Sequence, residues 1–329
     1  MQENSENDLP ELDLELNFGG LGVEDNSREI PIIDLSDFDN RFVEIADELW
    51  QAATTNGFFE LSGHDISIET IEQAFELSKS YFSLSDEIKS TMPLIGGTNA
   101  GWESKSQVRP STKTADQKES YQITRPRMQY LWPKNSLPHF KDQILKFEKL
   151  SWEVAMQVLS CFAYKLNFER DFFSKAHDPS VKEYQSTLRL LHYFTNDNAV
   201  HNNSQVWRAG AHTDFDCLTL LFQKTGQHGL QVCPGNKADS NAWTNVPPKT
   251  GLITCNIGDM LMRWSDDKLK STLHRVRMPK ANEYQGERYS IAYFAQANQT
   301  VVVQGPEKKY EPITASEYLK QRIAANFSY

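Results

Sequence analysis

Apolar residues recur every three or four positions in three segments of the first half of the chain. This spacing places them on one side of an α-helix, so each segment is predicted to be an amphipathic helix that buries one face. Gly57 follows the first segment as a stop signal, and Ser67 opens the second as an N-cap. The predicted helices cover 41–57, 67–84 and 140–166, and the stripe of the last comprises Phe147, Leu150, Val154, Val158 and Phe162.

From residue 184 onward the pattern changes to short β-type runs that are separated by turn residues. Runs such as CLTLLF (217–222) and YSIAYFAQ (289–296) are typical of strands in a β-sandwich or jelly roll. A last helix is predicted within 310–327. The expected fold class is therefore α+β, with a double-stranded β-helix (jelly-roll) core and a helical N-terminal half packed on it.

Between about 92 and 140 the sequence is irregular, polar and proline-bearing, with scattered aromatic residues. Long irregular stretches are uncommon in compact domains unless they cover a site. We therefore expect this stretch to lie over a cavity, with Trp102 and Tyr121 as candidate substrate walls. Three histidines in polar segments are expected at the surface: His139, His177 and His201.

The charge and the cysteines exclude several classes of function. A net charge of -10 and a pI near 5.4 argue against binding to nucleic acid or to anionic membranes. No apolar run approaches the roughly 18 residues that cross a bilayer, and no secretory signal is present, so we expect a cytoplasmic protein. No obligate protein partner is indicated. The cysteines form no CxxC pair and are expected to be reduced core residues; they are Cys161, Cys217, Cys233 and Cys255.

Candidate chemistry begins with the segment AHTDFDCLTLLF, in which His212 and Asp214 are two residues apart. In a strand, such residues share a face and could hold one cation, although this pair alone is more often a capped turn or a hydrogen-bonded pair. His274 precedes a later β-type run and supplies a third ligand. Two histidines and one carboxylate form the facial triad of non-haem Fe(II), whereas zinc favours more His or Cys ligands and magnesium more oxygens.

A second candidate group lies fourteen residues after His274, where Arg288 and Ser290 occur in GERYSIAYF. On a strand they share a face, and a guanidinium beside a hydroxyl binds a carboxylate through charge-assisted hydrogen bonds. The pattern therefore predicts an anchor for an acidic cosubstrate. The alternative is a surface strand whose arginine pairs with an acid elsewhere in the protein.

The sequence from residue 30 onward resembles the iron(II)- and 2-oxoglutarate-dependent dioxygenases of the isopenicillin-N-synthase-like family. IPIIDLSDF, NGFFELSGHDI and FELSKSYFSLSDEIK resemble the family's N-terminal motifs, and HTD, GLQV and RYS resemble its catalytic half. The resemblance implies that His212, Asp214 and His274 bind Fe(II). It also implies that Arg288 and Ser290 bind the distal carboxylate of 2-oxoglutarate.

The resemblance extends to residues around the metal. Tyr193 matches a tyrosine that contacts the cosubstrate, Phe294 matches a substrate-facing position, and Arg189 lies where some relatives have a basic residue. The chain also departs from the family pattern: Leu191 replaces an asparagine of many plant members, and SGHDI replaces the usual Asn-His-Gly-Ile. The gap from His274 to Arg288 is longer than in many plant relatives.

The implied activity is oxidation of a small organic metabolite by O2, with conversion of 2-oxoglutarate to succinate and CO2. Hydroxylation is the default outcome, and desaturation, cyclisation or epoxidation would use the same residues. The substrate is expected to be neutral or moderately polar, such as a secondary metabolite, and peptides and nucleobases stay open. One alternative is an oxidase that needs no 2-oxoglutarate and whose Arg288 and Ser290 bind the substrate carboxylate. A remote alternative is a non-catalytic ligand-binding jelly roll.

Neither a repeat nor a sharp change in composition divides the chain, so we expect one integrated domain with three regions. Residues 1–29 carry nine acidic side chains against one arginine and are expected to form a flexible acidic extension, with LDLEL (12–16) as an alternative edge strand. Residues 30–175 are expected to form the helical, substrate-side region. Residues 176–329 are expected to form the jelly-roll catalytic core with the C-terminal helix.

Overall fold

A computed structural model describes residues 22–25, 27–106, 115–195, 207–233 and 242–327 of the chain. Most of the predicted acidic extension, including LDLEL, lies outside these residues, as does His201. Within the described part, Val23–Glu24 is a short strand, and Glu24 accepts hydrogen bonds from Lys280 at 2.6 Å and Gln231 at 3.0 Å. The described end of the predicted extension is therefore anchored to the core.

The amphipathic segments form helices with the predicted buried faces. In the first helix Ile45, Leu49 and Ala52 are buried, and in the second the Ser67 hydroxyl accepts a hydrogen bond from the Thr70 N–H. The α-helices are α1 Phe42–Thr55, α2 Ile68–Phe82, α3 Asp86–Lys89, α4 Phe140–Lys165, α5 Phe172–Ala176, α6 Asp259–Trp264 and α7 Ala315–Phe327.

The strands of the described residues form two large sheets and one small one. One sheet has eight strands in the order β2-β3-β11-β8-β13-β6-β5-β4, the second has five in the order β1-β10-β9-β12-β7, and β14 pairs with β15. The strands are β1 Val23–Glu24, β2 Ile32–Asp34, β3 Phe58–Ser62, β4 Gly101–Ser104, β5 Lys118–Ile123, β6 Thr187–Tyr193, β7 Ala209–His212, β8 Leu218–Gln223, β9 Leu230–Val232, β10 Ala242–Asn245, β11 Ile253–Ile257, β12 His274–Val276, β13 Arg288–Ala295, β14 Val302–Val303 and β15 Ile313–Thr314.

The eight-stranded sheet separates two apolar layers. Along β13, Ile291 and Tyr293 face the core beneath the helices, whereas Ala292 packs with residues of the five-stranded sheet. This alternation is the pleat of a strand that is covered on both sides. The fold class predicted from the sequence, a jelly roll with helices packed on it, is confirmed.

The stretch between 92 and 140 contains more regular structure than predicted. Strands β4 and β5 pair with each other and extend the eight-stranded sheet beside β6. The sequence KESYQI of β5 has polar residues on both faces: Lys118 and Gln122 line the cavity, whereas Glu119 pairs with Lys89 on the other face. The alternation of apolar and polar residues that indicates a strand is therefore missing from its first half. Residues 107–114 of this stretch lie outside the described residues.

Two further expectations concern buried residues. All four cysteines are buried and free of disulfides, as predicted.

His139 is exposed, but His177 is fully buried, and its Nδ1 lies 2.7 Å from the Phe173 carbonyl oxygen. The expectation that His177 lies at the surface is wrong, because the residue ends α5 and its ring turns back against Phe173 of that helix. No helix in the described parts of the chain has the length and apolar character that a membrane span requires.

Candidate active site

The structure brings His212, Asp214 and His274 together at one end of the five-stranded sheet. His212 ends β7 and His274 begins β12, and the two are directly opposite each other in the antiparallel pair. Asp214 Oδ1 lies 3.8 Å from His212 Nε2 and 3.7 Å from His274 Nε2. Asp214 itself lies in the turn after β7, so the turn, and not strand alternation, directs its carboxylate toward the histidines.

Hydrogen bonds orient each of these three side chains. The Nδ1 atoms of His212 and His274 lie 2.7 Å from the Gly210 carbonyl oxygen and 3.3 Å from the Thr272 carbonyl oxygen. A histidine held in this way presents Nε2 as a ligand. The second oxygen of Asp214 accepts hydrogen bonds from Thr219 at 2.6 Å and Asn256 at 2.9 Å, so Oδ1 is turned toward the two Nε2 atoms.

The three donor atoms fit a single metal ion, since they lie within 4.8 Å of one another. Two imidazole nitrogens and one carboxylate oxygen on one side of an ion leave its other side open to the cavity. Phe58 packs edge-on against the His274 ring, with 5.5 Å between the ring centroids. This contact restrains the orientation of the His274 ring.

A buried ion pair supports the turn that carries Asp214. Asp259, at the start of α6, donates its backbone N–H to the Asp214 carbonyl oxygen and accepts a hydrogen bond from the Thr213 hydroxyl at 3.0 Å. Its carboxylate lies 2.6 Å from Arg322 Nη2 of α7. Burial raises the pKa of Asp259, and the Arg322 guanidinium opposes this shift. The supporting roles of four residues were not predictable from the sequence: Thr219, Asn256, Asp259 and Arg322.

The predicted anchor, Arg288 with Ser290, is buried on the eight-stranded sheet. Arg288 donates hydrogen bonds to Ser290 Oγ at 3.4 Å, Gln223 Oε1 at 2.9 Å and the Gln227 carbonyl oxygen at 3.1 Å. Its guanidinium carbon lies 4.7 Å from the centroid of the Tyr193 ring. Burial lowers the pKa of Arg288. Within the described residues no carboxylate lies within salt-bridge distance of Arg288, which argues against the alternative of a surface ion pair.

A cavity of about 470 Å³ between the two sheets connects the triad with this arginine. This volume is in the range of small-molecule sites. Tyr193, Arg288, Ser290 and Phe294 line the cavity, and most of the remaining wall is apolar. The apolar wall includes Phe58, Leu94, Leu191, Leu221, Leu230, Val276, Ala292, Leu319 and Ile323.

The prediction that Trp102 and Tyr121 line the cavity is wrong. Tyr121 faces the helices, stacks on Tyr81 with 4.0 Å between ring centroids, and donates its hydroxyl to the Leu131 carbonyl oxygen. Trp102 is opposite Tyr121 in the sheet and donates its indole N–H to Glu119 at 2.7 Å. A strand exposes alternate residues on opposite faces, so the cavity is lined instead by the next residues along, Glu103 and Gln122.

A polar row crosses the cavity wall on strands β4, β5 and β6. Arg189 Nη2 donates to Gln122 Oε1 at 2.7 Å, and Gln122 Nε2 donates to Glu103 Oε1 at 3.0 Å. Burial acts to raise the pKa of Glu103, but Arg189 and the hydroxyls of Ser106 and Ser120 lower it, and the net shift is downward. The orientation of Arg189, which the sequence did not determine, is thus toward the cavity.

Comparisons with known proteins identify the family of this chain. Residues 184–297 match the family described as the 2OG-Fe(II) oxygenase superfamily, and residues 30–139 match the one described as non-haem dioxygenase in morphine synthesis N-terminal. A 2-oxoglutarate-Fe(II) type oxidoreductase of Emericella nidulans is 30% identical, with 88% of each chain covered. The chain belongs to the 2OG-Fe(II) oxygenase superfamily.

Solved structures of similar proteins extend the comparison. A full-length Neurospora crassa protein in complex with α-ketoglutarate is 30% identical, with a TM-score of 0.81 over 93% of this chain and 98% of that chain. The same protein in complex with α-ketoglutarate and thymine gives a TM-score of 0.80 over 93% and 99%. This chain is accordingly an Fe(II)- and 2-oxoglutarate-dependent dioxygenase, an oxidoreductase with Fe(II) as cofactor and 2-oxoglutarate as cosubstrate. The alternatives of a 2-oxoglutarate-independent oxidase and a non-catalytic jelly roll are not supported.

Proposed function

We propose that this oxygenase hydroxylates a small organic molecule, with His212, Asp214 and His274 as ligands of Fe(II). Arg288, Ser290 and Tyr193 bind the distal carboxylate end of 2-oxoglutarate in the same cavity. One observation carries this proposal: the buried guanidinium of Arg288 lies in the same cavity as the His-Asp-His triad. Among the described residues, no carboxylate pairs with this guanidinium. A buried charge of this kind calls for an anionic ligand.

The two ends of the site are separated along strand β8. Thr219 hydrogen-bonds to Asp214, and Gln223 hydrogen-bonds to Arg288. Four residues of a strand span about 13 Å, so the triad and the anchor lie at opposite ends of this strand. The side chains of the triad and of Arg288 extend into the cavity from these two ends. A linear keto diacid bound between them would place its keto end toward the triad and its far carboxylate at Arg288.

In the proposed reaction one oxygen atom of O2 enters a C–H bond of the substrate, and the other enters succinate as 2-oxoglutarate loses CO2. When bound, Fe(II) supplies the activation of O2 that couples these two oxidations. The protein orients the reactants: Asp214 and the histidines would hold the ion, and Arg288 would hold the cosubstrate. Leu191, Leu221 and Phe294 line the cavity that holds these groups and limit the access of water.

The substrate of the proposed reaction is a small molecule, because the cavity of about 470 Å³ must also accept 2-oxoglutarate. The thymine bound by the similar Neurospora crassa protein supports a substrate the size of a single ring. Hydroxylation is the outcome we propose. Desaturation, cyclisation or epoxidation would be recognised from the mass of the product.

The proposal is tested by anaerobic titration of the purified protein with Fe(II) and 2-oxoglutarate. Chelation of Fe(II) by a keto acid gives a visible charge-transfer band, which reports binding without turnover. We expect this band to saturate at one equivalent of Fe(II) and to be absent in His212→Ala. An unchanged band in His212→Ala would show that the metal is bound elsewhere. Succinate formation in air, with and without added metabolites, then tests the reaction.

A further inference from the structure

Arg189, Gln122 and Glu103 form the polar row on the substrate side of the cavity, and the hydrogen bonds along it all run in one direction, from donor to acceptor. Arg189 is opposite Gln122 in the β5–β6 pair, and Glu103 lies diagonally beyond it on β4. The Gln122 carbonyl accepts from the guanidinium at one end, and its NH2 group donates to the carboxylate at the other. The row therefore has a donor end at Arg189 and an acceptor end at Glu103.

The acceptor end is an ionised carboxylate. Ser120 Oγ donates to Glu103 Oε1 at 2.9 Å, and Ser106 Oγ donates to Oε2 at 2.5 Å. These hydroxyls and the Arg189 guanidinium keep the pKa of Glu103 below its ordinary value, against the effect of burial. An ionised carboxylate accepts hydrogen bonds only, so this end of the row favours an N–H or O–H of a ligand.

Among the residues that the structure describes, the charges on this side of the cavity balance. Lys118 also lines the cavity but is paired with Asp116, with 2.6 Å between Nζ and Oδ2. Arg189 and Glu103 then contribute one charge of each sign. A ligand with a net charge would bring one unbalanced charge into a largely apolar cavity, whereas a neutral dipolar ligand would not.

An aromatic surface lies between the row and the triad. The Arg189 guanidinium carbon is 5.2 Å from the centroid of the Phe294 ring. Phe294 is opposite Thr219 in the β8–β13 pair, and Thr219 hydrogen-bonds to Asp214. A flat ring lying against Phe294 would therefore have one edge toward the polar row and another toward the triad.

We propose that the row selects a neutral cyclic amide as substrate: a lactam, imide or cyclic urea. Its carbonyl accepts from Arg189, its N–H donates to Glu103, and its ring packs against Phe294. The side chain of Gln122 is itself an amide that satisfies both groups, which shows that an amide edge matches their chemistry. This inference rests on the proposed function, since the ring carbon nearest the triad is the site of oxidation.

The inference is tested with four ring compounds of similar size. The probes are 2-piperidone, its N-methyl derivative, cyclohexanone and cyclohexanecarboxylate. Dissociation constants are measured by ligand-observed NMR on protein loaded with Mg²⁺ and 2-oxoglutarate, so that no turnover occurs. We expect 2-piperidone to bind about tenfold more tightly than each of the other probes, because only it offers both hydrogen bonds without a charge.

Two variants assign this preference to the row. Glu103→Gln should reduce the advantage of 2-piperidone over its N-methyl derivative, and Arg189→Gln should weaken binding of both compounds about tenfold. Glu87→Gln and Arg170→Gln are the matched controls, because both residues are exposed and neither lines the cavity. Equal binding of all four probes, no binding of any, or a preference that persists in Glu103→Gln would overturn the inference. The charge-transfer titration is independent of these results, so the proposed function would still stand.

Discussion

Arg322 of the C-terminal helix and Asp259 of α6 form an ion pair of 2.6 Å in which both side chains are fully buried. Asp259 holds the turn that carries Asp214 through its own N–H and through the Thr213 hydroxyl. The last helix of the chain is therefore connected to the proposed metal ligands by two hydrogen-bonded steps. Outer-sphere contacts of this kind set the orientation of ligands and the affinity for the metal.

Removing one member of this pair should weaken both metal binding and folding. We expect Arg322→Gln to reduce the affinity for Fe(II) by about tenfold or more and to lower the free energy of unfolding by about 3 kcal/mol, because it leaves a buried carboxylate uncompensated. The double variant Asp259→Asn with Arg322→Gln should recover part of the stability but not the metal affinity. Metal titration and urea unfolding measure the two effects. Lys320→Gln, an exposed change on the same helix, should alter neither quantity.

Loss of a proposed metal ligand should abolish activity at every concentration of substrate. We expect His212→Ala to eliminate succinate formation both with a substrate and in its absence, because two remaining ligands cannot hold the ion in place. His139→Ala, on the surface, serves as the control and should retain full activity. Succinate formation at the wild-type rate by purified His212→Ala would disprove the assignment of this ligand.

Loss of the Arg288 anchor should weaken the binding of 2-oxoglutarate without removing the metal site. Arg288→Gln removes the charge-assisted hydrogen bonds to the distal carboxylate and should raise the KM for 2-oxoglutarate by roughly 100-fold. Arg288→Lys should fall between wild type and Arg288→Gln, since it keeps the charge without the planar fork. Steady-state succinate formation at saturating Fe(II) gives these values. An unchanged KM in Arg288→Gln would mean that the keto acid binds in another orientation.

His177 should make the stability of the protein sensitive to mild acid. Burial lowers the pKa of His177 to about 4, against an ordinary value of about 6.5. The folded state therefore binds fewer protons, so this contribution to stability is complete above about pH 6.5 and is lost as the pH falls toward about 4. The loss should amount to about 2 kcal/mol by about pH 5. Urea unfolding measured across this pH range should show that the free energy of unfolding falls less steeply with acid in His177→Gln than in the wild type. Identical slopes for the two proteins would refute the lowered pKa of His177.

The sequence predicted the parts of this structure that depend on regular patterns. Helical stripes such as Ile45 and Leu49 and the β-type runs after residue 184 indicated the fold class, because periodic apolar residues record which face is buried. Arg288 and Ser290 could be identified as a pair because two positions on one strand share a face.

The sequence did not predict features that depend on the register between distant segments. The sequence predicts that Trp102 and Tyr121 line the cavity, but adjacent residues of a strand point to opposite faces of the sheet. The residues that face the cavity are their neighbours, Glu103 and Gln122. Arg322 could not be connected with Asp259 either, because only the docking of the last helix brings them together.

The central claim is that a single site holds both the metal and the keto acid. Its most direct test is a crystal structure grown without oxygen in the presence of Mn²⁺ and 2-oxoglutarate, with the metal located by anomalous scattering. We predict one strong peak bounded by Nε2 of His212, Nε2 of His274 and Oδ1 of Asp214, with the keto acid extending from it to Arg288. A peak away from these three atoms, or a keto acid that does not reach Arg288, would contradict the claim.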